Sequence, residues 1–163
     1  MVERLSKIGY YLAIAKAVAM RSICISHKRG YGAIIVVNDA IVSTGYSGPP
    51  RGAKHCEVCC RVNQDSLKAS TYEECPSCHA EDNCVTGAAR TGVKIYGGDI
   101  YVYGVTKKGH AFDVEICDRC KRVLLNAGIE KAIIKDLYGY RVLLAKNEFN
   151  EIDNNVCYRE GNQ

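Results

Sequence analysis

At 163 residues and 47% hydrophobic, the chain is long enough to close one core, and its longest apolar run, Ala33 to Val37, is far too short to cross a bilayer. No secretory leader is visible in Met1-Val2-Glu3-Arg4, so the ten cysteines point to metal-bound thiols in a reducing cytoplasm rather than to a disulfide scaffold. A formal charge of +4 is weak support for any nucleic-acid partner.

Leu5, Ile8, Leu12, Ala15 and Ala19 recur at three- and four-residue spacing, which predicts an amphipathic N-terminal helix. Tyr31 to Val37 is apolar and rich in β-formers, Asn38-Asp39 makes a turn, and Ile41 to Tyr46 returns, so a hairpin is expected. From Ser47 to Cys78 the periodicity lapses while Cys56, Cys59, Cys60, Cys75 and Cys78 accumulate. A compact domain rarely carries so long a structureless loop, and metal is the natural device to hold it. A second helix is expected from His79 toward Arg90, stopped by Gly92. Asp99 to Val105 reads as a strand, Thr106 to Gly109 as a turn, and Ala111 to Val114 as its return. The following helix places Cys117, Cys120, Leu124 and Ala127 on one face, with Gly128 as its cap. Its basic residues Arg119, Lys121 and Arg122 read as a solvated face. Lys131 to Lys135 is a short strand, and the polar tail after about Asn150 is expected to be poorly ordered. Together these elements predict one three-layer α/β domain over residues 1–163.

The chemistry is concentrated in two short motifs. Cys78-His79-Ala80-Glu81 is answered by Cys117-Asp118-Arg119-Cys120, so one imidazole and two thiolates are available for a tetrahedral zinc. Three protein ligands leave one position open, as catalytic zinc sites require, and Glu81 follows the histidine closely enough to move protons without ligating the metal. A lone Cys-x-x-Cys fits a structural zinc or a redox pair, and a lone histidine fits a core or surface position. The combination of His-x-Glu with a later Cys-x-x-Cys is the pattern of zinc-dependent nucleobase deaminases.

On these residues the sequence resembles the cytidine/deoxycytidylate deaminase family, and within it the dCMP deaminases. Arg21-Ser22-Ile23-Cys24 is similar to the family's Arg-Ser-Thr-Cys segment, and Tyr31 to Val36 to its Val-Gly-Ala-Val-Ile-Val strand. Ser43 to Gly52 is similar to its Thr-Gly-Tyr-Asn-Gly-x-Pro-x-Gly loop, His79 to Asn83 to His-Ala-Glu-x-Asn, and Leu124 to Ile129 to an Asn-Ala-Gly-Ile ending. The resemblance runs from about Ala17 to Lys135 with the motifs in order. It departs from the family in three places. Ile116 replaces the proline before the first cysteine, Ser47 replaces a sugar-contacting asparagine, and the stretch between the zinc motifs is longer, so a hairpin from Tyr103 to Glu115 is expected.

The resemblance implies a five-stranded mixed sheet flanked by helices, a catalytic zinc on His79, Cys117 and Cys120, and Glu81 as proton shuttle. It implies conversion of dCMP to dUMP, feeding thymidylate synthesis, by a homo-oligomer, often a hexamer. Arg21, Ser22, Arg29, Ser47 and Ala80 would bind the nucleotide, with the Ala80 amide on the pyrimidine carbonyl. Gly45, Tyr46, Arg51 and Gly52 fall in the segment that resembles the site for the effectors dCTP and dTTP.

Cys56-x-x-Cys59 and Cys75-x-x-Cys78 also have knuckle spacing, which suits a second, structural Cys₄ zinc. Cys60 competes with Cys59, His55 is a further donor, and buried unligated thiols are the bland alternative. With both zincs bound, the +4 falls to about +2, because a two-thiolate site adds nothing and a four-thiolate site adds −2. Rival functions are deamination of a 5-substituted nucleotide such as 5-methyl-dCMP, deamination of tRNA adenosine, and a non-enzymatic zinc module. The last leaves Glu81 without a task, and the tRNA reading requires a strand-tracking basic or aromatic surface.

Overall fold

The structure, a computed structural model, describes residues 4–22, 29–57, 59 and 75–144. Lys28, Cys24, Cys60, Cys157 and the tail beyond Asn150 lie outside the described residues. Helix α1 spans Lys7–Ala19, begun by Ser6, whose hydroxyl accepts from the Gly9 amide at 3.1 Å. Strands β1 (Arg29–Val37) and β2 (Ala40–Tyr46) form the expected hairpin. Its turn places both Asn38 (φ 48°) and Asp39 (φ 66°) in the left-handed region, which Asn and Asp tolerate best among side-chain-bearing residues. Helix α2 (Ala80–Thr91) ends at Gly92 with φ 69°, as its glycine stop predicts. Then follow β3 (Asp99–Thr106), α3 (Asp118–Asn126), β4 (Lys131–Lys135) and β5 (Tyr140–Leu144).

The five strands lie in the order β2-β1-β3-β4-β5, parallel between β3 and β4 and antiparallel elsewhere. The period of two along each strand sorts side chains onto two cores. Ala33, Ile35, Ile100, Val102, Ala132 and Ile134 pack with α2 and α3; Ile34, Val36, Tyr101, Tyr103 and Ile133 pack with α1. Both faces of β1 and β3 are therefore covered, which is why their sequences are apolar nearly throughout.

One of the expected strands turns out differently. Ala111 to Val114 forms no ladder, making only one isolated bridge, Val105 to Ala111, so the anticipated Tyr103 to Glu115 hairpin is absent. The segment turns inward instead: Phe112 and Val114 occupy the space above Gly104, and Val114 and Ile116 are buried in the core beneath α2 and α3. Burying those residues carries the chain toward Cys117, which continued pairing along β3 would not do. Strand β5 was not read from the sequence at residue level. Its second residue, Arg141, points at Val114 O (2.7 Å) and Glu115 (2.6 Å), which breaks the apolar pattern that marks a strand.

Glycine is needed where α1 crosses β1. A Cβ on Gly32 would lie 2.2 Å from Ala19 N and 2.5 Å from Ala15 O, both backbone atoms of the helix. Gly32→Ala is therefore expected to cost roughly 1–3 kcal/mol or more by overpacking, measured by urea unfolding. A cost below about 0.5 kcal/mol would show that α1 is free to lift off the sheet.

Candidate metal centre

Two helix beginnings converge on one face of the sheet. His79 is the N-cap of α2 and Cys117 the N-cap of α3, both in extended backbone, and neither side chain caps its own helix. They meet each other instead: His79 Nδ1 lies 3.4 Å from Cys117 Sγ and 3.3 Å from Cys120 Sγ. The three donor atoms lie within 4.8 Å of one another, the one such group among the described residues. Zinc bonds of about 2.3 Å to sulfur and 2.1 Å to nitrogen, set at the tetrahedral angle, separate the two donors by about 3.6 Å. The donor set and its spacing fit one zinc ion with a fourth position left over.

The electrostatics agree. Cys117 is pulled down to about 3, first by the hydrogen bond from the Cys120 thiol and then by His79, against the effect of burial. Cys120 is pushed up by that same bond and by burial. His79 is raised, chiefly by its hydrogen bond to Cys117. The two sulfurs thus share a proton between them, and a divalent cation would hold both as thiolates. Glu81, the second residue of α2, is only 5% exposed, and burial pushes its carboxyl up to about 7.

The first turn of α2 is fixed from below by β2. A Cβ on Gly45 would lie 2.3 Å from both Ala80 O and Cys84 N, so only glycine lets the strand come this close. Ser43 Oγ donates to Cys84 O at 2.6 Å, and Asn83 Nδ2 donates to Tyr46 O at 2.9 Å and Gly48 O at 3.3 Å. Gly48 and Cys78 exchange two backbone hydrogen bonds, 3.2 and 2.9 Å, immediately before His79. Ile116, standing where the resembling family has proline, is 2% exposed, so burial anchors the entry into α3 in place of a ring.

Ser22 and Ser47 come together: Ser22 Oγ lies 2.8 Å from Ser47 O and 2.7 Å from Ser47 Oγ, which also accepts from Tyr31 N at 3.0 Å. This serine corner adjoins Gly48 and so the metal centre. Arg21 is exposed in the turn after α1, and the exposed Arg29 guanidinium sits 4.7 Å over the Phe112 ring. Ala80 is fully buried as the first residue of α2, with its amide among those a helix leaves without an internal partner. Of the effector candidates, Gly45 serves β2–α2 packing and Tyr46 offers its carbonyl to Asn83. Arg51 and Gly52 border a groove of about 570 Å³ that also takes in Thr44, Gly87, Arg90 and Thr91. It lies toward the far end of α2, whose 12 residues span about 18 Å.

Cys56, Cys59, Cys75 and Cys78 are half-buried, form no disulfide, and are not drawn into a three-donor group among the described residues. Sequence reasoning also missed an ion pair. Arg119 is exposed, as expected of a solvated face, but its guanidinium also bonds to the buried Asp82 across α2 and α3. Only its place between the two cysteines of Cys-x-x-Cys could have drawn attention to it.

A family model described as the cytidine and deoxycytidylate deaminase zinc-binding region matches residues 5–135. The chain is similar to a deoxycytidylate deaminase of Mycobacterium phage D29, at 33% identity over 76% of this chain and 90% of that protein. It is also similar to a deoxycytidylate deaminase of Schizosaccharomyces pombe, at 30% identity over 79% of this chain, but spans only 35% of that protein's length. Its fold is shared with a dCMP deaminase of the cyanophage S-TIM5 crystallised with dCMP and dUMP, at a TM-score of 0.59 and 23% identity, covering 82% and 85% of the two chains.

Burial of Glu81 has a measurable sign. Its carboxyl titrates near 7 when folded and near 4.5 when unfolded, so between those values the unfolded chain sheds a proton that the folded chain keeps. Stability of the metal-free chain therefore falls as pH rises from about 4.5 to 7. Glu81→Gln is expected to stabilise the metal-free chain at pH 8, by on the order of 3 kcal/mol, and to change little at pH 4.5. Urea unfolding at the two pH values checks this, and an equal gain at both would contradict it.

Proposed function

Because the chain belongs to the cytidine and deoxycytidylate deaminase family, we propose that it is a zinc-dependent hydrolase that converts dCMP to dUMP and ammonia, supplying dUMP for thymidylate synthesis. The observation that carries this is the His79, Cys117 and Cys120 donor set with the buried, raised Glu81 carboxyl at its edge. Zinc bound there supplies a nucleophile at neutral pH, by lowering the pKa of water from ~15.7 to about 7. Glu81 does the proton work. Its buried carboxylate would take one proton from the attacking water and pass it to ring N3, then take the remaining hydroxyl proton at C4 and deliver it to the amine, which departs as ammonia while the C4 carbonyl forms. The Ala80 amide, free for an acceptor at the head of α2, orients the pyrimidine carbonyl. The serine corner and Arg29, held over Phe112, stand toward the nucleotide's sugar and phosphate.

Three further features belong to this reading. The groove bordered by Arg51 and Arg90 takes a nucleoside triphosphate effector, dCTP or dTTP, since two guanidiniums suit a polyphosphate. The exposed Leu137, Tyr138 and Tyr140 on and beside the edge strand β5 support assembly into a homo-oligomer, the hexamer that the family resemblance often implies. A cytoplasmic setting keeps the zinc-ligating thiols reduced, and none of the described helices is long and apolar enough to cross a membrane.

The test is ammonia release from dCMP, deoxycytidine, CMP, 5-methyl-dCMP and tRNA. Wild type is expected to favour dCMP over deoxycytidine by two to four powers of ten in kcat/KM, as two charge-assisted phosphate contacts would give. Arg29→Ala should narrow that gap, and Glu81→Gln should lose at least about 10⁴-fold on dCMP. Equal rates on nucleoside and monophosphate would overturn the substrate assignment.

We also propose a structural zinc held by Cys56, Cys59, Cys75 and Cys78, supported by their paired spacing and by the bridge between Gly48 and Cys78 that brings the loop's end back to β2. Metal analysis should find two zinc ions per chain, one lost in Cys117→Ser with activity and the other in Cys75→Ser with stability. One ion per chain, unchanged in Cys75→Ser, would remove the second site.

A further inference from the structure

The zinc ligands come from two separate helices, with His79 before α2 and Cys117 and Cys120 at the start of α3. Their geometry is no better than the registration of one helix on the other. An ion pair joins those two helices: Arg119 to Asp82. Asp82 lies one turn after His79, and Arg119 lies between the two cysteines, so the pair spans the same two helical turns as the metal. We propose that Asp82 and Arg119 are positioning residues, a clamp that holds the α2 ligand at coordinating distance from the α3 ligands.

The chemistry of each partner favours this over a surface contact. The Asp82 side chain is 12% exposed and that of Arg119 44%, so the guanidinium reaches in from the surface to a carboxylate whose burial requires a partner. Arg119 occupies the first turn of α3, where the helix dipole disfavours a cation. A cation there is retained because the carboxylate opposite holds it. The pair is neutral overall, so it ties the helices without changing the charge that the zinc site presents. Outer partners of this kind commonly set metal affinity by orienting the ligands.

The inference rests on the zinc reading of the site, and one experiment separates the two. Zinc affinity is measured by competition with a chelating dye on the full chain as wild type, Asp82→Asn, Arg119→Met and the double variant, with unfolding followed in saturating zinc. Each single change is expected to weaken zinc about 10–100-fold, and the double to be no weaker than the worse single. At saturating zinc, kcat on dCMP should fall while KM stays within about threefold. Arg119→Lys, which keeps the charge, should fall between wild type and Arg119→Met. Wild-type affinity in the single variants, losses that multiply in the double, or a lysine variant no better than methionine each overturn the clamp. A wild-type chain without zinc affinity overturns the zinc reading itself. Should Arg119→Met not fold, Asp82→Asn carries the same comparison.

Discussion

The rest of the structure depends on the meeting of two helix N-termini at one point over the sheet. Each N-cap residue, His79 and Cys117, has extended backbone and turns its side chain away from its own helix toward the other. Thiolates placed there gain from two positive helix ends, worth roughly 0.3–1 kcal/mol each, but the arrangement is stable only if the helices cannot drift. The core beneath supplies that rigidity: Ala80, Cys84, Cys120 and Leu124 sit, fully buried, on Ala33, Ile35, Ile100 and Val102. Residues of the site and residues of the core therefore alternate along the same short helical segments.

That closeness sets the acid–base character of the centre. Glu81 is buried because it opens a helix pressed onto β2, and β2 presses so hard because position 45 has no side chain. The missing methyl group at Gly45 thus lies upstream of the raised carboxyl at Glu81. The same strand end reaches the serine corner through Ser47 and the α2 entry through Gly48, so substrate-side and metal-side groups share one backbone. An insertion anywhere from Gly45 to Gly48 would disturb both.

Local patterns were legible wherever one residue type has one physical job. The spacing of Leu12, Ala15 and Ala19 marked α1, Asn38-Asp39 marked the hairpin turn, and Gly92 marked the end of α2. The metal donors were legible for the same reason, since few uses other than a metal require His-x-Glu and Cys-x-x-Cys together. Features that depend on a distant partner were not. Ala111 to Val114 has strand composition but leaves the sheet to bury Phe112 and Val114 over Gly104. Strand β5 hides behind Arg141, whose inward turn makes sense only beside the Val114 carbonyl and Glu115.

The sequence by itself determined the donor atoms, the element that carries each, and the apolar stripes that would bury them, because these follow from residue type and chain periodicity. Only the tertiary structure decided how near the donors come, that Glu81 is buried enough to titrate near 7, and that Arg119 answers Asp82. Distance, burial and ion pairing depend on residues some 35 to 40 positions apart along the chain, and no local rule of spacing reaches across that gap.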